Sequence, residues 1–549
     1  MNAYTMDPRV EDTAAGAPPE PAAPVPREVE LKLFVPAASI DHLWANPWLI
    51  AQAIGPLRVA RLDNRYFDTP DRALAQRRMA LRLRRSGRQW LQTLKVADAD
   101  EGALSSRGEW EMPVAGPVLE LRRLRDTPLS TIVPQRGLAA RLAPIFTTSF
   151  RRESRLLRLK DGSVVEFAFD RGLIVSGRGR SRRTLPICEV EIEAKEGTPD
   201  LMKFAARLVR DVALVPLAAS KAARGHRLAE GRALEPARAD LPVPRGDDDV
   251  RMHLARVLGA CNRALLANAH ALLETVAGAD AGIEFVHQAR VAVRRMRSAL
   301  RTFGSVVEPR RLDALDAELT ALGTMLGGVR DWDVFATTTM KRLRDEVASD
   351  DEGKVALEAI RVATAAQRDD AHRRLIAALA TGAFGATTIA VERMATRLTG
   401  KGGRRTTLAE SAPDWLANQR ERLIRLARRI AVLDNDARHG LRVEVKRLRY
   451  ALDLLEGLYE PKAVAAFHDA LADLQDRLGR LNDLVVAKHL LHALPESEAS
   501  ALARTRFDAW LHHHVRKQLP KVAAQSVAFE LTPVPWLATP ASSTVADPA

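Results

Sequence analysis

The sequence predicts a two-part protein: an α+β N-terminal domain rich in strands, followed by an all-α domain. Three observations predict this. From about Arg27 to Leu228, charged and apolar residues alternate with a period of two, as in Leu81-Arg82-Leu83-Arg84 and Glu189-Val190-Glu191-Ile192-Glu193, which is the signature of strands. From about Val250 to Gln518, Ala and Leu dominate and the period lengthens to three or four residues, which is the signature of helices. Between them, Ala229 to Asp249 concentrates Pro, Arg and Asp and reads as a linker.

In chain order, residues 1–26 hold acids, Ala and Pro, without the basic and apolar regions of a secretory signal. A disordered leader is expected there. Residues 27–228 form the strand-rich domain, 229–249 the linker, 250–520 the helical domain and 521–549 a loose tail. A chain of 549 residues exceeds what one hydrophobic core organises. Its 46% hydrophobic and 28% charged residues exclude global disorder. The net charge of +14 points to a polyanionic partner. Two cysteines, Cys188 and Cys261, exclude a disulfide scaffold and a Cys-based zinc site, and fit a reducing compartment. No apolar run approaches the roughly 18 residues a membrane span needs, so no membrane partner is expected. Aromatics, at 5%, are too few for an obvious base-stacking surface, which argues against nucleic acid.

The charge on the strands carries the chemistry. Successive side chains of a strand point to opposite faces. Glu28, Glu30 and Lys32 therefore share a face, as do Arg82 and Arg84, and Thr93 and Lys95. Arg107, Glu109 and Glu111 share another, and so do Glu189, Glu191 and Glu193. One reading makes these the solvated faces of an ordinary sheet. Five strands with dense charge of both signs favour a closed barrel whose interior is a polar tunnel. Paired carboxylates bind hard divalent cations. Arg and Lys hold phosphate oxygens. Neither set packs inside without the other, because an unpaired buried charge costs several kcal/mol.

At these residues the sequence resembles the CYTH family, the triphosphate tunnel metalloenzymes. The E-x-E-x-K element Glu28-Val29-Glu30-Leu31-Lys32 is followed in family order by Tyr66-Phe67-Asp68-Thr69-Pro70, Leu81-Arg82-Leu83-Arg84 and Thr93-Leu94-Lys95. Next come Arg107-Gly108-Glu109-Trp110-Glu111, Phe150-Arg151-Arg152, Glu166 to Asp170, Cys188 to Glu193 and Ser220 to Gly225. One departure is Arg78-Met79-Ala80, where a small residue or Gly is usual before the L-R-x-R element. The resemblance implies an eight-stranded antiparallel β tunnel with helices that hydrolyses a triphosphate with a divalent cation, Mg²⁺ or Mn²⁺. By motif position it implies Glu28, Glu30, Asp170, Glu189 and Glu191 as metal ligands. It implies Lys32, Arg82, Arg84, Lys95, Arg152 and Lys221 as the phosphate cradle. Glu28, Glu30, Lys32 and Lys95 form the expected catalytic set. Glu111, Glu193 and Arg107 line the tunnel or pair within its wall. No Ser, Cys or His stands as a nucleophile. His42 and His226 read as surface or capping residues, and Trp90 and Trp110 as outer packing. The charged faces show no aromatic platform, which favours inorganic triphosphate over thiamine or nucleoside triphosphates.

The helical half repeats itself. His287-Gln288-Ala289-Arg290-Val291-Ala292-Val293-Arg294-Arg295-Met296-Arg297 aligns with His439-Gly440-Leu441-Arg442-Val443-Glu444-Val445-Lys446-Arg447-Leu448-Arg449, at an offset of 152. Leu326-Gly327-Gly328-Val329-Arg330-Asp331 aligns with Leu478-Gly479-Arg480-Leu481-Asn482-Asp483 at the same offset. Two related helical bundles in one domain follow. His287, Arg290, Arg294, Arg297 and Arg301 step by three and four onto one helix face, and His439, Arg442, Lys446 and Arg449 repeat the stripe. Like charges stacked twice call for an external anion. Histidine in that setting predicts tighter anion binding as pH falls through about 6 to 7. The duplicated pattern resembles the CHAD domain. This resemblance implies inorganic polyphosphate binding, with His287, Arg290, Arg294, Arg297, His439, Arg442, Lys446 and Arg449 as the binding residues.

The leading expectation is a cytoplasmic inorganic triphosphatase with a polyphosphate-binding module, associated with polyphosphate granules. The alternatives are a non-enzymatic polyphosphate-binding protein and a thiamine or nucleoside triphosphatase. Nucleic-acid binding has only the net charge in its favour.

Overall fold

The computed structural model describes residues 27–97, 102–131, 137–274, 279–347, 350–400, 405–430 and 435–537. The expected leader, 1–26, and the end of the expected tail, 538–549, lie outside the described residues.

The alternating segments form the strands β1 (Arg27–Phe34), β2 (Ala53–Asp68), β3 (Met79–Ser86), β4 (Gln89–Ala97) and β5 (Leu104–Val114). After them come β6 (Ala143–Arg158), β7 (Val164–Ser176), β8 (Arg183–Glu196) and the short β9 (Val215–Pro216). The order β5-β4-β3-β2-β6-β7-β8-β1 closes into a barrel because β5 also pairs with β1, from Arg27↔Gly108 to Leu31↔Leu104. All pairings are antiparallel, and β9 is added to the end of β1 on the edge opposite β8. The domain is therefore an eight-stranded antiparallel tunnel with one extra short strand.

The alternation sorts side chains between two environments. Leu31, Leu33, Phe167, Val190 and Ile192 point outward and are buried with Leu201, Phe204 and Leu208 of helix α1 (Leu201–Leu208). Each such side chain contributes about 1.5–3 kcal/mol on burial. The Asp200 side chain starts α1 by accepting from the Lys203 N–H at 2.8 Å. Glu30, Lys32, Arg82, Asp170 and Glu189 point inward and are buried as well. The turn before β3 is kept despite the sequence departure there. Arg78 adopts the left-handed conformation with φ 57°, at a cost of about 1–2 kcal/mol.

Helix α2 (Lys221–Glu230) follows β9, and its first residue is Lys221. The helical domain is built of α3 (Val250–Glu274), α4 (Ala279–Phe303), α5 (Pro309–Val334), α6 (Met340–Val347), α7 (Asp351–Leu379) and α8 (Gly382–Thr399). It continues with α9 (Leu408–Ala427), α10 (Asn435–Leu455), α11 (Pro461–Ala493) and α12 (Glu498–Glu530). The repeat offset maps α4 and α5 onto α10 and α11. Both halves share one core, in which Met296, Leu300 and Phe303 of α4 join Leu448, Leu452 and Leu455 of α10. One difference between the halves follows α5. A π-helical turn, Phe335–Thr339, separates α5 from α6, whereas α11 runs on unbroken.

The expected linker separates α2 from α3, and one expected boundary, that of the tail, moves. The 229–249 linker is strapped down: Asn268 of α3 donates to the Ala237 carbonyl at 2.8 Å and accepts from the Ala237 N–H at 3.1 Å. Leu234, Ala239 and Leu241 pack on the helical core. The loose tail expected from residue 521 is instead ordered through 537. Helix α12 passes through Pro520, and Val522, Phe529 and Trp536 are buried. An interior proline costs about 3 kcal/mol, and the burial of these side chains around Phe467 offsets it. No single helix among the described residues is long and apolar enough to cross a membrane; the bent pair α7 and α8 passes only when taken together, by length and composition.

Candidate active site and anion cleft

Strand register sets opposite charges side by side inside the barrel. Arg152 of β6 faces Asp170 of β7, and Asp170 faces Glu189 of β8. Lys32 of β1 faces Glu191 of β8. Lys95 of β4 faces Glu109 of β5, and Glu28 faces Arg107. All of them except the fully buried Asp170 and Glu189 line a cavity of about 390 Å³.

One cluster lies on the β6–β8 side. Carboxylate oxygens of Asp170, Glu189 and Glu191 lie within 4.8 Å of one another. The Lys221 Nζ stands 2.7, 2.5 and 2.8 Å from Asp170, Glu189 and Glu191. Arg152 grips Asp170 with two hydrogen bonds of 2.7 and 2.6 Å and also reaches Glu191. Arg224 of α2 reaches Glu189. Burial works to raise the Glu191 carboxyl, but Lys221 and Arg152 outweigh it and hold it well below the usual carboxylate range. Burial likewise opposes ionisation of Glu189, and Arg224 and Lys221 override it. Asp170 and Glu189 are fully buried behind Lys221, while Glu191 opens on the cavity. The donor set is carboxylate oxygen throughout, which fits a hard divalent cation. In this structure Lys221 and Arg152 supply the balancing charge.

A second cluster lies on the β1–β5 side. Glu30 takes the Lys32 Nζ at 2.8 Å and Arg107 at 2.8 Å. Burial pushes Glu30 up, and Lys32, Lys95 and Arg107 overcome it, so the carboxyl rests at about 2. Glu28 meets the Lys95 Nζ at 2.5 Å. There burial, aided by Glu30 and Glu109, wins over Lys95 and raises the carboxyl to about 7. Arg82 lies 3.5 Å from Glu109. The Arg84 Nε donates to Asn64 Oδ1 at 3.0 Å. Burial and the adjacent Arg82 and Arg152 lower Arg84 to about 10.

All six expected cradle cations line the cavity. The five expected metal ligands divide: Asp170, Glu189 and Glu191 converge, while Glu28 and Glu30 belong to the β1–β5 cluster. Glu111, Glu193 and Arg107 line the cavity and also pair within the wall, Thr93 donating to Glu111 at 3.0 Å. Lys195 was not expected. Its Nζ lies 2.5 Å from Glu193 and 3.4 Å from Glu166, and its place two residues after Glu193 was the available signal. Tyr66 and Phe150 also line the cavity, contrary to the expected absence of aromatics. Both rings are engaged. Lys221 and Arg152 sit 5.1 and 5.8 Å from the Phe150 ring centre, and Tyr66 stacks on Phe146 at 4.5 Å. His226, expected as a surface or capping residue, is instead buried inside α2 edge-on to Phe146, and Trp110 packs on an apolar cluster outside the barrel.

The helical domain holds a second cavity, of about 510 Å³. His287, Arg290 and Arg294 of α4 and Arg330 of α5 face Arg442 and Lys446 of α10. Arg290 and Arg294 are the repeat partners of Arg442 and Lys446, so the two halves bring matching cations to one cleft. Asp331 and Asp483, another repeat pair, lie at its base. The Arg294 guanidinium lies over the Tyr450 ring, 4.6 Å from its centre. Among the described residues no carboxylate lies within ion-pair distance of Arg290, Arg294, Arg442 or Lys446. Burial and the neighbouring Arg442, Arg294 and Arg290 push the Lys446 ammonium down to about 7. His287 is held below its usual value by burial and Arg330. Beside the expected histidine, the cleft thus brings a lysine close to neutrality. Arg297 turns away to Asp316 at 2.9 Å. Arg449 does not line the cleft. The His439 side chain lies outside the described residues.

A barrel lined with cancelling charge and built around a three-carboxylate cluster belongs to the triphosphate tunnel class. Residues 26–225 match the CYTH domain and residues 256–492 match the CHAD domain. The chain belongs to the CYTH family through its tunnel and to the CHAD family through its helical half. Among curated proteins it is similar to an inorganic triphosphatase of Haemophilus influenzae, with 34% identity over 205 residues. That match covers 37% of this chain and 55% of the relative. Among solved structures, a CHAD domain from the plant Ricinus communis is 30% identical, covering 54% of this chain and 97% of that one, at a TM-score of 0.39. An adenylyl cyclase candidate from Hippeastrum, with a dominant triphosphatase activity, is 20% identical, covering 37% and 96%, at a TM-score of 0.26.

Lys221→Met leaves three converging carboxylates without their shared ammonium. Breaking such a buried pair costs about 3–5 kcal/mol. Thermal unfolding should show the loss, and millimolar Mg²⁺ should raise the melting temperature of the variant more than that of the wild type.

Proposed function

We propose that the tunnel hydrolyses inorganic triphosphate to diphosphate and phosphate with Mg²⁺ or Mn²⁺, and that the helical domain binds inorganic polyphosphate. One observation carries the first part. Glu191 brings the oxygen-donor cluster of Asp170, Glu189 and Glu191 to the wall of one cavity, which six cations of the right chemistry for phosphate also line. A triphosphate can replace the carboxylates as partner of those cations, which leaves the carboxylates to a metal ion. When bound, the divalent cation polarises phosphoryl oxygens as a Lewis acid. Arg82, Arg84 and Arg152 offer guanidinium forks to phosphoryl oxygens. Lys32 and Lys95 add point charges from β1 and β4. Water forms a bond to the terminal phosphorus, its bond to the bridging oxygen breaks, and one proton leaves the water. The fixed cations stabilise the charge that passes to the departing diphosphate. The rings of Phe150 and Tyr66 are already covered, which supports inorganic triphosphate over thiamine or nucleoside triphosphates.

Incubation with triphosphate and Mg²⁺ or Mn²⁺ should release phosphate, and Glu28→Ala/Glu30→Ala should lower the rate at least about 10²-fold. Equal release by the variant contradicts the reading. Absence of release with tight binding favours a non-enzymatic polyphosphate-binding protein. The cleft reading is supported by cations that no carboxylate meets at ion-pair distance among the described residues, and the free thiols of Cys188 and Cys261 fit a reducing compartment such as the cytoplasm.

A polyanion in the cleft would raise the Lys446 pKa, so binding takes up a proton and affinity falls as pH rises through about 7. Calorimetric titration with short polyphosphate from pH 6 to pH 8.5 should show this fall. In Lys446→Arg, which stays charged, that part of the pH dependence should vanish.

A further inference from the structure

We propose that the helical domain supplies a positioning residue to the tunnel: His270 of α3, by its hydrogen bond to the Pro216 carbonyl, holds the segment that delivers Lys221 to the carboxylate cluster. The inference rests on the triphosphatase reading. Lys221 is the first residue of α2, and only four residues separate it from β9. Strand β9 is a short anchor. It pairs with β1 through Leu33↔Pro216 and Phe34↔Val215, and the Leu217 N–H then donates to the Lys32 carbonyl at 2.9 Å.

Pro216 has no N–H, so its carbonyl is its one backbone hydrogen-bonding group. That carbonyl lies 2.7 Å from the His270 Nε2. A carbonyl only accepts, so the imidazole carries its proton on Nε2. The same ring stands edge-on to Phe34, 5.8 Å between centres. His270 therefore braces both β9 and the end of β1, the strand that carries Lys32.

Independent contacts hold the same segment. A Cβ on Gly385 of α8 would lie 1.9 Å from the Leu214 carbonyl oxygen, and one on Gly382 would lie 2.6 Å from that of Val209. Helix α8 thus lies directly on the backbone that enters β9. Val215 belongs to the helical core, and Ile389 of α8 belongs to the core outside the tunnel. Beyond Lys221, Arg227 of α2 meets Glu274 of α3 at 2.8 Å. The helical domain touches this stretch both before and after Lys221. The Lys221 Nζ sits within 2.8 Å of three carboxylates, and a displacement of about 1 Å at such a site can cost as much as about 10²-fold in rate.

The test compares full-length His270→Phe, which keeps a ring against Phe34 and loses the donor, with His270→Gln, whose amide nitrogen can reach where Nε2 stood. The readouts are kcat and KM for triphosphate with Mg²⁺, hydrogen exchange of residues 217–224, and melting temperature. His270→Phe should lower kcat about tenfold and speed exchange in 217–224, and His270→Gln should restore both. Wild-type kcat and exchange in His270→Phe overturns the proposal. Equal impairment of both variants also overturns it, because the ring then acts by packing alone. If the wild type hydrolyses no triphosphate, the proposed function fails, and the exchange comparison alone decides whether His270 holds the segment.

Discussion

A barrel can turn charged side chains inward only if those charges cancel within it. Asp170 and Glu189 are fully buried, and Glu30 and Lys32 nearly so. Without partners, each would cost several kcal/mol to desolvate. The register provides the partners: Arg152 opposite Asp170, Lys32 opposite Glu191 and Lys95 opposite Glu109. The helix that follows β9 adds Lys221 to the carboxylate cluster, and Arg224 one turn later. The closed strand order, the outward apolar face and the helix packed on it all serve this cancellation. An interior of paired charges is also an interior ready to exchange partners. A metal ion competes for the carboxylates and a phosphate chain for the cations.

The cleft of the helical domain meets the same electrostatic problem in another way. Its cations come from two copies of one sequence pattern and face one another across a cavity open to water. Asp331 and Asp483 line the same cavity, but among the described residues no carboxylate comes within ion-pair distance of Arg290, Arg294, Arg442 or Lys446. Lys446 instead gives up part of its charge, since a lysine releases its proton more readily than an arginine. The tunnel thus stores charge as ion pairs, and the cleft stores it as a displaced protonation equilibrium. The close contacts of α8 and α3 with the chain around β9 make the helical domain part of the tunnel's support.

Much of this was legible in the sequence, because a period of two in charge fixes which side chains share a face. Every charged face read from β1, β3, β4, β5 and β8 lines the tunnel. Which carboxylates converge was not legible. The two glutamates of the E-x-E-x-K element share a face with the others, but pairing of β1 with β5 draws them toward Lys95 and Arg107, away from Asp170. The helical stripe was legible over one heptad only. At about 1.5 Å rise per residue, Arg297 and Arg301 stand one and two turns beyond Arg294 along α4, where they meet Asp316 of α5 instead of the cleft. The tail was misread, and the strapping of the linker was not legible, for a third reason. Proline content reports local backbone preference, and what orders Ala237, Phe529 and Trp536 is the distant surface each one meets. Gly382 and Gly385 carry no periodic signal at all, and their role appears only where another domain's backbone touches them.

The exchange of partners inside the tunnel has a direct thermodynamic signature, because two ligands that free each other's binding groups must strengthen each other by the same factor. Calorimetric titration of triphosphate into the protein, with and without Ca²⁺ as a slow-turnover divalent cation, measures that factor. The predicted result is weak triphosphate binding alone, much tighter binding with the cation, and an equal gain in cation affinity when triphosphate is present. Triphosphate binding that is just as tight without any divalent cation would contradict the account.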